Sequence, residues 1–158
     1  MALNMFLKVG TIKGETTDPD HPGWIDALAW SWGESNSGST HVSPPAPGAV
    51  SIQDLSVTTY LDKAAPLLMA ACAAGTIFTT ATLSVVTIGA TPIEILRYKM
   101  DTVLVSSVSN GGSGGEDRFT QNISLNYSKI TWTYVPVVGG VAGTPIIRSW
   151  NILTGGPT

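Results

Sequence analysis

The sequence predicts a mainly β protein, a two-sheet barrel or sandwich carrying one α-helix, and three observations support this. Apolar residues recur at a period of two along most of the chain, with Thr, Val, Ile and Ser frequent, as strands require. Clusters of Gly, Pro, Asn and Asp punctuate that pattern at intervals short enough for a sandwich or barrel. A single Ala/Leu/Met-rich segment departs from the alternation.

The elements follow in order. A first strand over 4–10 runs toward the turn Thr17-Asp18-Pro19-Asp20-His21-Pro22-Gly23, whose residue types are those that turns select. In the next strand, 24–33, alternation sets Asp26, Leu28, Trp30 and Trp32 against Ile25, Ala27, Ala29, Ser31 and Gly33. The bulky set is expected in the core, with Trp30 and Trp32 as anchors. The Ser/Pro/Gly stretch 35–48 reads as a long polar loop, and 50–61 as a strand. The segment 62–74 then reads as the helix. Asp62 suits its start, Gly75 suits the left-handed residue after its end, and Pro66 is tolerated only in the first turn. Leu68 with Cys72, and Leu67 with Ala71, share faces at i, i+4, so the helix is expected to pack on or plug the barrel. Strands over 77–88, 93–108, 119–137 and 145–153 complete the set, with a glycine-rich loop from Asn110 to Gly115. No repeat or linker divides the chain, so 1–158 is expected to be one domain.

Composition limits what such a fold can do. Hydrophobic residues make up 43% of the chain, but charged residues only 12%, against ~25% in an ordinary soluble domain. Mean hydropathy is +0.22. No apolar run approaches the ~20 residues of a spanning helix, so membrane insertion is not expected. The remaining reading is a surface partly hidden against copies or partners. The net charge of −3, with scattered Lys and Arg, argues against nucleic acid as a partner. Cys72, the only cysteine, excludes an internal disulfide and suits a reducing cytoplasm. The first ten residues lack the pattern of a cleaved signal peptide, so any export is expected to need a dedicated machine.

Two strand faces are unusual. Ala29 and Ser31 lie on a face that shrinks to small residues. In 120–134, Ile123, Leu125 and Tyr127 oppose Thr120, Asn122, Ser124, Asn126 and Ser128. A core face would carry Leu or Val, and a free surface Lys or Glu. A small, uncharged wall suits a lumen or a close subunit contact.

At these residues the sequence resembles the Hcp family, the haemolysin-coregulated proteins of type VI secretion. Met5-Phe6-Leu7-Lys8-Val9-Gly10 resembles the family's opening, and Ile25 to Gly33 followed by Ser37-Gly38-Ser39-Thr40-His41 resembles its second block. Gln53-Asp54-Leu55-Ser56, Asp62-Lys63 and Leu68-Met69 resemble the strand-to-helix passage. Val103 to Ser109, Gly111 to Arg118, Ser124-Leu125-Asn126-Tyr127 and Trp150-Asn151-Ile152 complete the likeness, in order over nearly the whole chain. The resemblance departs at Pro44, Pro45 and Pro47, where the family is often glycine-rich, and is weak over 76–100. It implies a barrel whose copies form hexameric rings stacked into an inner tube. A contractile sheath drives that tube, tipped by a VgrG-type spike, into a neighbouring cell, with small effector proteins in the lumen. On this reading the protein is made in the cytoplasm and then secreted. Ala29, Ser31, Asn122, Ser124 and Asn126 face the lumen. Ser37, Gly38, Ser39 and His41, with Gly112, Ser113, Gly114, Gly115, Glu116 and Asp117, form interface loops. A phage-type tail tube protein shares this logic, and a secreted β-sandwich binding module or effector is the reading from a different class.

Catalytic signals are weak by comparison. Gly111 to Gly115 runs into Glu116 and Asp117, where a phosphate loop needs Gly-Lys-[Ser/Thr] opening a helix. Asp18, Asp20 and His21 read as a solvated turn in preference to a metal site, and His41 is isolated. Neither histidine is placed beside a serine by the pattern, and Cys72 reads as a buried, inert thiol. No cofactor, metal or enzymatic activity is expected.

Overall fold

The computed structural model describes residues 2–158. Its strands are β1 (Leu3–Val9), β2 (Ile25–Ser31), β3 (Glu34–Asn36), β4 (Val50–Ile52), β5 (Leu55–Tyr60), β6 (Ile77–Thr87), β7 (Glu94–Gly111), β8 (Thr120–Tyr134), β9 (Val137–Val138), β10 (Val141–Ala142) and β11 (Ile146–Asn151), with helix α1 over Ala65–Ala74. The main sheet runs β11-β8-β5-β2-β1-β6-β7, and β7 also pairs with β8. That last pairing closes six strands into a barrel and leaves β11 outside, on the C-terminal half of β8.

Closure consumes the inward alternation of every barrel strand. Leu7, Ile25, Leu55, Leu83, Val103, Ile123 and Leu125 are fully buried inside. Leu68 of α1 joins the same core, with Ala65 and Ala71 beside it. Burying one such leucine contributes about 1.5–3 kcal/mol, so the helix contributes to the core through Leu68 and does not merely cover it. Its outer side stays apolar too, with Leu67 half-exposed.

The structure corrects several expectations. The helix begins at Ala65, because Asp62 turns back on itself: its Oδ1 accepts from the Ala64 N–H at 2.9 Å, and no side chain caps the helix. The C-terminal end is as expected. Gly75 has φ +68, its N–H meets the Cys72 carbonyl, and the Thr76 N–H meets the Ala71 carbonyl at 3.0 Å. Leu67 and Ala71 do not share an environment, and Cys72 is half-buried, not enclosed. The strand expected over 50–61 breaks at Gln53–Asp54, and the one over 119–137 stops at Tyr134.

The largest correction is in β2. Its partner on β5 advances one residue while β2 advances two, from Ala27↔Thr59 to Ala29↔Thr58. The extra residue, Leu28, makes a bulge that reverses the alternation. Ile25 and Ala27 therefore face the core, while Leu28 is 39% exposed. Beyond the bulge Trp30 and Trp32 turn inward against Tyr98, at ring separations of 5.1 and 5.8 Å, and Ala29 and Ser31 turn out.

Candidate functional site

Strand register brings the predicted wall residues together. Ser31 pairs with Ser56, Ser56 with Ser124, and Ser124 with Ser107. One step along, Ala29 pairs with Thr58, Thr58 with Asn122, and Asn122 with Ser109. Residues directly opposite share a face, so two uncharged rungs cross four strands on the outside of the barrel. At ~4.8 Å between strands each rung spans about 14 Å. The rungs are tied sideways: the Thr58 hydroxyl donates to Asn122 Oδ1 at 2.6 Å.

Asn126 lies one step further and ends the neutral zone. Its Nδ2 donates to Asp54 Oδ1 at 2.9 Å, and the Ser106 hydroxyl donates to Asp54 Oδ2 at 2.6 Å. Asp54, Ser56, Thr58, Ser107 and Ser109 were not assigned to this wall from the sequence. The i, i+2 polar set Asp54, Ser56, Thr58 within the expected 50–61 strand was the available signal.

Ser37, Gly38, Ser39 and His41 sit on an exposed arm that extends from the β3–β4 ribbon. The stretch 35–48, read from the sequence as a long polar loop, is bonded to itself. Ser39 and Ala46 exchange two backbone bonds of 2.9 Å. Asn36 Oδ1 accepts from the Gly38 and Gly48 N–H groups at 2.8 and 3.0 Å. The two glycines are required by contact: a Cβ on Gly48 would fall 2.4 Å from the Gly38 nitrogen. Gly112, Ser113, Gly114, Gly115, Glu116 and Asp117 form the exposed β7–β8 turn, closed by the Glu116 N–H on the Ser113 carbonyl. The structure does not bring these two loops together. The arm joins the start of β5, while the glycine turn adjoins its end through the Tyr60↔Thr120 pair. Six residues of strand put them about 17 Å apart, at opposite ends of the wall.

Tyr127 fastens the root of the arm. Its hydroxyl accepts from Trp32 Nε1 at 2.5 Å and donates to the Gln53 carbonyl at 2.7 Å. Burial pushes the phenol up to about 12, against the lowering effect of the Trp32 bond.

One cluster overturns a reading of the sequence. His21 is only 7% exposed, and it does stand beside a serine. Its Nδ1 lies 2.5 Å from Asp18 Oδ2 and its Nε2 3.2 Å from Ser84 Oγ. The order Asp–His–Ser resembles a hydrolase triad, but the hydroxyl is directed elsewhere. Ser84 is fully buried, and its O–H donates to Glu94, which also takes two bonds from Arg97 at 2.8 and 3.0 Å. Burial alone would raise the Glu94 carboxyl; the Arg97 and Ser84 bonds outweigh it and hold it below the usual range. A nucleophile that no substrate can reach, with its proton committed to a carboxylate, does not support acyl transfer. Among the described residues no three metal-ligating side chains converge.

Comparison with known proteins gives one consistent picture. Residues 6–134 match the family model described as the type VI secretion system effector Hcp. The protein hcp1 of Pseudomonas aeruginosa is 46% identical over 156 residues, covering 96% of each chain. A solved type six secretion system protein superimposes with a TM-score of 0.93 at 31% identity, covering 99% of this chain and 100% of the other. Hcp1 from Salmonella typhimurium gives 0.81 at 27% identity, covering both chains completely.

Proposed function

The chain belongs to the Hcp family of type VI secretion effectors, and on that premise we propose that it is the subunit of the secretion system's inner tube. Copies close into hexameric rings, the rings stack beneath a VgrG-type spike inside the sheath, and the tube is exported with small effector proteins in its lumen. The observation that carries this is the pair of uncharged rungs, Ser31–Ser56–Ser124–Ser107 and Ala29–Thr58–Asn122–Ser109. The barrel's own interior is filled with fully buried side chains and conducts nothing. A conduit must therefore form between copies, from an outer face, and this face is wide, small and free of formal charge. It offers no fixed charge to reject a passing protein of either sign.

The two exposed loops suit the rest of the assembly. They lie at opposite ends of the wall, so one copy presents the arm at one end and the glycine turn at the other. Two different patches mating head to tail generate rings or open stacks. Apolar residues left exposed, among them Val138, Val141 and Leu153, give such contacts surface to bury. Light scattering at micromolar concentration should give six times the chain mass. A stable monomer across that range refutes the tube reading.

A further inference from the structure

His21 is enclosed from four elements. Phe6 of β1 stacks on its ring at 4.4 Å, and Trp24 meets it edge-on at 4.9 Å. Asp18 faces it from its own connector, Ser84 from β6, and Glu94 with Arg97 from β7. Lys8 of β1 lies 5.9 Å from the Trp24 ring.

Counting hydrogens decides what the ring must be. Glu94 receives two N–H groups from Arg97, so it is a carboxylate and can only accept. The single hydrogen of Ser84 therefore points to Glu94. The bond between Ser84 Oγ and His21 Nε2 then needs its hydrogen from the ring. On the other side Asp18 also accepts, so Nδ1 must donate as well. We infer that His21 is held as an imidazolium whose second proton fastens the connector 17–24 to the β6–β7 hairpin, as a latch that releases when that proton leaves. Neutral His21 can keep Nδ1–H on Asp18, but its bare Nε2 then faces an oxygen with no hydrogen to give. Either that bond is lost or Ser84 turns and Glu94 keeps only its Arg97 donors. The β1–β2 pairs at Met5↔Ala27 and Leu7↔Ile25 are untouched, so the barrel stays closed while the connector opens.

Two measurements test this. Ring 15N spectra at neutral pH should show both His21 nitrogens protonated, with exposed His41 as the internal control; one bare nitrogen on His21 overturns the inference. Amide exchange at His21 and Trp24, whose N–H groups close this turn, should rise about tenfold or more relative to Leu125 between about pH 6 and about pH 9, after correction for intrinsic rates. In His21→Gln exchange should be fast at both pH values. Ser84→Ala, which leaves the ring in place but removes its acceptor, should shrink the pH-dependent rise. An equal rise in wild type and Ser84→Ala, or none in wild type, overturns the latch.

Discussion

Replacing Tyr127 with Phe removes one oxygen and two hydrogen bonds, leaving Trp32 Nε1 without an acceptor and the Gln53 carbonyl without a donor. A buried group left unpaired costs ~1–3 kcal/mol. Trp32 is half-buried and Gln53 exposed, so water recovers part of both. The expected loss is about 2 kcal/mol, which at ~2–4 °C per kcal/mol lowers the melting temperature by about 4–8 °C. The pH dependence gives a second, independent readout. The folded phenol titrates at about 12, above the ~10 of an unfolded tyrosine. A raised folded value means its contribution is fully present below pH ~10 and is lost as pH rises through about 12. The gap between wild type and Tyr127→Phe should therefore be full at pH ~8 and narrow steadily above ~10. Tyr98, which burial also raises, stays in both proteins and cancels in the difference. Thermal melts followed by circular dichroism across that range supply the test. A neutral-pH loss below ~1 °C, or a gap that does not narrow, refutes the assignment of Tyr127 as the fastening of the arm's root.

Three further outcomes are expected. Ser31→Gln adds bulk to the outer wall and should change stability within about ±0.5 kcal/mol, leaving rings intact while effector co-purification falls; a melting temperature lowered by many degrees would show Ser31 to be packed. Deleting residues 38–47 removes the arm beyond its root and should give folded monomers by gel filtration, whereas surviving rings would show that the arm is not the clasp. Leu68→Ala empties a fully buried site where helix meets barrel and should cost ~2–5 kcal/mol, measured by urea denaturation; a loss under ~1 kcal/mol would mean that α1 does not share the barrel's core.

Much of the fold was legible because the barrel uses one rule, inward alternation, and the residues obey it. Ile123, Leu125 and Tyr127 point in and Asn122 and Asn126 point out, as a period of two dictates. The helix was legible from its composition, and its C-terminal end from Gly75. What escaped was local. A bulge leaves no mark in composition, so Ile25 and Ala27 were assigned to the wrong side. Asp62 was misplaced because an Asp can close a turn before a helix as readily as cap one. Long-range partners escaped altogether: nothing between positions 21 and 84 announces that a histidine and a serine meet across two strands.

The same bulge explains how one short strand serves two demands. Without it, Ile25, Ala27, Ala29 and Ser31 would share a face, and the wall would be interrupted by an isoleucine or the core lined with a serine. Inserting Leu28 lets β2 give Ile25 and Ala27 to the core at one end and Trp30 at the other, while Ala29 and Ser31 complete rungs begun on β5, β7 and β8. The residue that does this is itself a half-exposed leucine on the outer face, beside Tyr60 and Arg118. In the proposed ring this side chain is available to a neighbouring copy, and the bulge is then the point where the barrel's internal packing and its proposed assembly meet in one residue.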